Sequence, residues 1–141
     1  MILLPDELRT RLRAEARCNA EQPGHDPRSE SRASLRPIAK FFNPLSPATW
    51  LVTELAQDGD TLFGLADPGF GCPELGYFSL REIEGIRLPY GLRIERDCAF
   101  VSMHPLSVWA DMARRAGSIL QAQTLLARSL MARPTDELPP P

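Results

Sequence analysis

Leu4, Leu8 and Leu12 recur every four residues behind Pro5, Asp6 and Glu7. That spacing puts one apolar stripe on a helix, the proline suits its first turn, and the acids favour the positive end of its dipole. The pattern predicts a helix over residues 5–19. Arg9, Arg13 and Arg17 repeat at the same interval on another face, read either as a solvated stripe or as an edge that contacts phosphates. Residues 19–34 have no apolar period and contain prolines, which predicts a flexible loop or linker, with His25 solvated inside it.

The period then changes. Residues 50–55 and 61–66 are rich in aromatic, aliphatic and β-branched side chains, and the link between them holds Asp58-Gly59. Two strand-length runs around such a pair predict an antiparallel hairpin. Residues 75–78 read as a third strand. Ser79 and Glu82 match a capping box opening a short helix over residues 80–86. Residues 92–97 alternate apolar and polar before an apolar run at 98–101, which predicts a fourth strand. A helix over 108–116, with Ser107 as cap and Gly117 as stop, precedes a second over 118–132 with Leu120, Leu126, Leu130 and their neighbours read as one face. The proline-rich end reads as a tail.

Strands in the middle and helices at both ends predict an α+β fold, with a small, mostly antiparallel sheet of about four strands. The organisation read from the chain is an N-terminal helix and polar loop (1–37), a core domain (38–117), and a C-terminal helix with its tail (118–141).

Composition narrows this picture. A chain of 141 residues with 43% hydrophobic and 24% charged positions supports one packed core and excludes a disordered or fibrous chain. The net charge of −2 lacks the positive field of non-specific nucleic-acid binders. Residues 41–100 hold four basic and nine acidic groups, so the acidity is concentrated in the predicted sheet. The N-terminus reaches Pro5, Asp6 and Glu7 too soon for a signal peptide, and charges interrupt every hydrophobic run, so the expectation is a cytoplasmic protein without a membrane span. Cys18, Cys72 and Cys98 form no Cys-x-x-Cys pair and are expected to be reduced, with Cys98 a small core residue.

Catalytic designs find little support. There are two histidines, His25 and His104, and no Gly-x-Ser-x-Gly elbow. Gly69-Phe70-Gly71 lacks the lysine and hydroxyl of a phosphate-wrapping loop, and the only lysine, Lys40, lies elsewhere. Glu54, Asp67, Glu74, Glu95 and Asp97 sit at or near predicted strand ends. Asp67, Glu74, Glu95 and Asp97 would be the ligands of Mg²⁺ or Ca²⁺ in a metal-dependent enzyme acting on a phosphoester, should those ends converge. Otherwise they face water or pair with Arg81, Arg93 and Arg96. Trp50, Phe63, Tyr77, Phe78 and Phe100 are read as core, or alternatively as a stacking platform for single-stranded nucleic acid.

The ordered series Ala48-Thr49-Trp50, Thr53-Glu54-Leu55, Phe63-Gly64-Leu65, Asp67, the run P-E-L-G-Y-F-S-L from Pro73, G-L-R-I-E-R-D from Gly91, and Pro105-Leu106-Ser107 resembles an uncharacterised bacterial family, domain of unknown function 2958. The resemblance spans residues 38–116. It implies a small cytosolic protein of the kind encoded on plasmids and integrative conjugative elements, and it carries over no activity, cofactor or catalytic residue.

These readings favour a non-catalytic module without a cofactor over an enzyme. It is expected to bind a protein partner through Asp67, Gly69, Phe70, Gly71, Glu74, Tyr77, Glu95 and Asp97, with self-association through the C-terminal helix as a further expectation.

Overall fold

The computed structural model describes residues 3–20 and 34–136. Most of the predicted polar loop, with His25, and the end of the proline-rich tail lie outside the described residues. In chain order the elements are α1 (Asp6–Ala20), β1 (Ala39–Phe42), β2 (Thr49–Leu55), β3 (Thr61–Asp67), β4 (Glu74–Ser79), α2 (Leu80–Glu84), a 3₁₀ turn (Pro89–Gly91), β5 (Glu95–Arg96), α3 (Leu106–Ala116) and α4 (Ile119–Asp136). The strands form one sheet in the order β4-β3-β2-β1-β5, with every neighbour antiparallel. The fold is α+β, as the pattern predicts.

The strand count is five rather than four. β1 is four residues, Ala39-Lys40-Phe41-Phe42, too short to display a period of two. Its identity comes from pairing with β2, from Ala39 opposite Val52 to Phe42 opposite Thr49. The predicted fourth strand shrinks to Glu95-Arg96, because β1 offers it only Phe41 and Phe42 as partners. Residues beyond it turn outward, so Val101 is 81% exposed and Cys98 is exposed instead of buried.

β2 and β3 carry apolar side chains to both faces. On one face Val52, Leu55 and Leu62 pack with Leu4 and Leu12 of the N-terminal segment and with Leu80 and Ile83 of α2. On the other, Leu51, Phe63 and Leu65 pack with Trp109, Ala110 and Ala113 of α3 and with Ile119, Ala122 and Leu126 of α4. A bulge between Val52 and Glu54 sets this division. Strict alternation would send Leu55 to the same side as Leu51; the extra residue, Thr53, reverses the phase and returns Leu55 to the α1 side.

Helix ends show where local signals hold. Ser79 caps α2 by accepting from the Glu82 amide (3.2 Å). Asp60 of the hairpin reinforces that start, accepting from the Ser79 hydroxyl (2.9 Å) and the Arg81 amide (2.8 Å). Gly117 ends α3 at φ 91°, a left-handed conformation that favours glycine. Ser107 is not the cap: the helix begins one residue earlier, behind Pro105. The arginine stripe is not simply solvated either. Arg9 donates to the Gly59 carbonyl (3.2 Å) and Arg13 to that of Gln57 (3.3 Å), fastening α1 to the β2–β3 hairpin. Arg17 remains exposed. On α4, Leu126 is buried but Leu120 is 41% exposed, so they do not share a face.

Two predictions follow from the hairpin. A Cβ at Gly64 would overlap the Leu51 carbonyl, whereas one at Gly76, its neighbour on β4, meets nothing within 4 Å. Gly64→Ala is therefore expected to cost about 3 kcal/mol or more, and Gly76→Ala less than about 1, in urea unfolding. Asp58 accepts from the Thr61 hydroxyl (2.6 Å) and from the Thr61 and Asp60 amides (both 2.8 Å), bonds that lower its carboxyl from 3.8 to about 2. Because the folded-state value is depressed, this stabilisation is complete above the ordinary value and lost as pH falls toward the folded one. Acid titration of unfolding should show Asp58→Ala to be less acid-sensitive than wild type over that window.

Candidate functional site

β4 is an edge strand, with β3 on one side and no strand on the other among the described residues. Such an edge presents unpaired amides and carbonyls, and protection by proline, lysine or a bulge is usual. β4, Glu-Leu-Gly-Tyr-Phe-Ser, contains neither proline nor lysine, and its register with β3 runs unbroken from Ser79 opposite Thr61 to Glu74 opposite Ala66. Tyr77 stands 51% exposed on this strand, its ring edge-to-face with the buried Phe63 at 5.2 Å.

The loop that delivers β4 is built to project a side chain. Asp67, at the end of β3, is fully buried. One carboxylate oxygen accepts from the Gly69 amide and the other from the Ile119 amide at the start of α4, each at 2.9 Å. The carboxylate thus fixes the loop base and satisfies a helix-start donor that has no partner within its own helix. Gly69 (φ 99°) and Gly71 (φ 84°) turn the chain through left-handed conformations, and Phe70 between them is 84% exposed. Beside the loop lies a cleft of about 670 Å³ lined by Pro73, Glu74, Leu75 and Arg114.

The eight residues expected to bind a partner therefore divide. Glu74 and Tyr77 lie on β4, whereas Gly69, Phe70 and Gly71 belong to the loop before it, where Gly69 sits beside Pro47 and Ala48 and Asp67 anchors the loop base. Glu95 and Asp97 belong to the opposite edge, four strand spacings or roughly 19 Å away. Glu54 is buried near the far end of β2 from Thr49, which pairs with Asp67. The strand ends do not bring Asp67, Glu74, Glu95 and Asp97 together. Among the described residues no group of three or more His, Cys, Asp or Glu is placed to hold a metal ion. The platform of aromatic side chains is likewise divided: Phe63 lies under α3 and α4, and Trp50 and Phe78 pack toward α1 and α2.

Lys40 is a residue that the pattern of the sequence did not single out as a site. It is 7% exposed; its Nζ donates to Gln123 Oε1 (2.6 Å) and lies 3.8 Å from Asp97 Oδ2. Burial lowers its pKa, and the Asp97 carboxylate opposes that shift in part. The available signal was a lone charged residue inside a short apolar run, which reads equally well as a solvated strand position.

A family model described as "Protein of unknown function (DUF2958)" matches residues 3–120. The match extends beyond the 38–116 resemblance to include α1 and the first two residues of α4. No curated protein and no solved structure matches the chain.

Lys40 has a folded-state pKa below its unfolded value of 10.5, so the unfolded chain binds the proton more tightly. Between those two values stability should rise with pH. Lys40→Met lacks this component, and wild type should gain stability relative to the variant as pH climbs from neutral toward 10.5 in chemical denaturation.

Proposed function

We propose that this chain, which belongs to the DUF2958 family, is a protein-docking module that receives an extended segment of a partner along the open edge of β4. The observation that carries the reading is an edge strand with no further strand beside it among the described residues, which exposes Tyr77 and is entered from a loop that exposes Phe70. Strand addition uses main-chain hydrogen bonds for affinity and side-chain contacts for selection. Tyrosine and phenylalanine are favoured at such contacts because large rings lose little conformational entropy when immobilised. The exposed Glu74 at the start of the strand favours a basic residue in that segment.

No helix among the described residues is long and apolar enough to cross a membrane. The reading takes the module to act in the cytoplasm in the service of a mobile genetic element, the setting that the family resemblance implies. It assigns no cofactor and no catalytic residue. Self-association through α4 would use Leu120 and Leu125, 41% and 39% exposed, since Ile119, Ala122 and Leu126 are buried in the protein's own core.

The test is affinity capture with wild type and with Phe70→Asp/Tyr77→Asp, followed by hydrogen exchange on the recovered complex. A stoichiometric partner should be lost at least tenfold in the double variant, while its melting temperature stays within a few degrees. β4 amides should gain protection in the wild-type complex. Equal capture by both proteins, or protection confined to another surface, would refute docking at this edge.

A further inference from the structure

The turn between α2 and β5 breaks two local rules at one point. Tyr90, in the 3₁₀ turn, holds φ 64° and is the one non-glycine residue with a positive φ among the described residues. A left-handed conformation disfavours a bulky side chain, and glycine or asparagine is its ordinary occupant. The turn is closed by the Leu88 amide donating to the Leu92 carbonyl (3.0 Å) and the Leu92 amide donating to that of Pro89 (3.3 Å). Tyr90 is 92% exposed, so packing does not account for an aromatic residue there.

Next to this tip, Arg87 and Arg93 face each other in an antiparallel bridge. Side chains of residues paired in this way leave the same face, with Cα atoms roughly 4.5–5.5 Å apart, and like charges so placed repel. Alternation sends the pair outward. Ile86 and Leu88 pack against the core on the α1 side and Ile94 is buried in it, while both arginines are exposed. Arg93 donates through Nη1 to the Glu84 carbonyl (2.9 Å), which leaves its other N–H groups open. Neither guanidinium is in a salt bridge among the described residues. Residues 85–93 carry these two arginines and no acid, although residues 41–100 as a whole hold four basic and nine acidic groups.

Backbone strain and like-charge pairing both oppose folding, and features of that kind persist where a ligand makes use of them. Two guanidiniums on one face suit an anion that repeats along a chain, since each offers a planar set of donors to phosphate oxygens. The ring favours nucleic acid over an acidic protein. An aromatic anchor at a protein interface sits among contacts that exclude water. Tyr90 is flanked instead by the exposed Pro89 and Gly91, and no other large hydrophobic residue between Phe78 and Phe100 is exposed. An isolated ring beside cations is the arrangement that base stacking uses.

We infer that the hairpin of residues 87–93 binds single-stranded nucleic acid, with a base stacked on Tyr90 and the adjoining phosphates held by Arg87 and Arg93. With two arginines on a chain of net charge −2, the contact is weak and salt-sensitive. It uses none of the residues assigned to docking at β4, so either reading can fail without the other.

The experiment follows the fluorescence polarisation of a labelled oligothymidylate of about 15 nucleotides, titrated with the full chain. Saturable binding is expected at about 10⁻⁶–10⁻⁴ M in about 50 mM salt. The logarithm of the binding constant should fall with that of salt at a slope of about −1.4, two phosphates at about −0.7 each, and Arg87→Gln/Arg93→Gln should remove most of this slope. Tyr90→Asn, which suits the left-handed backbone, should melt no lower than wild type and bind about fivefold or more weakly, the loss of one stacked base. The salt slope of the wild-type protein tests the inference even if a variant fails to fold. Absence of saturable binding, a flat salt dependence, an unchanged slope in the arginine variant, or wild-type affinity in Tyr90→Asn would overturn it. So would equal affinity for a duplex of the same length, or stronger binding of poly-glutamate at equal charge, which would point to an acidic protein instead.

Discussion

The pairing of β2 with β3 is the constraint on which the structure depends. Both strands bury side chains on both faces, so the sheet is stable only with a helical layer on each side. Close approach of the two backbones requires Gly64, and the Thr53 bulge divides the apolar residues between the two layers. With both faces occupied, the exposed parts of the sheet are its edges and the loops around them.

Electrostatics reinforces that division. The acidic residues are not interchangeable surface charges. Asp67 is buried and bonded to two amides, Asp60 and Asp58 order the hairpin and the start of α2, and Asp97 faces a buried lysine. A carboxylate that accepts amide hydrogen bonds organises local structure and contributes little to long-range attraction. The acidic surplus of the middle segment is consequently a poor guide to a single acidic face. Of the carboxylates first considered, Glu74 is the exposed one beside the open edge.

The two edges of the sheet end differently. β4 is six residues long with an unbroken register, which suits an added strand. β5 has two residues, and the chain that leaves it turns back on the α3 and α4 side, with Val101 and Met103 exposed.

The sequence by itself determined the α+β class, α1, the β2–β3 hairpin, the Ser79 cap and the Gly117 stop, because each rests on contacts between residues close along the chain. It also marked residues 67–73 as a loop between strands, since their glycines and prolines are local signals. Only the tertiary structure decided that Ala39–Phe42 is a strand, that Asp67 anchors α4 across 52 positions, and that Lys40 meets Gln123 across 83. Those outcomes depend on which distant backbone or side chain arrives opposite, and a partner that far along the chain leaves no trace in the local pattern of apolar and polar residues.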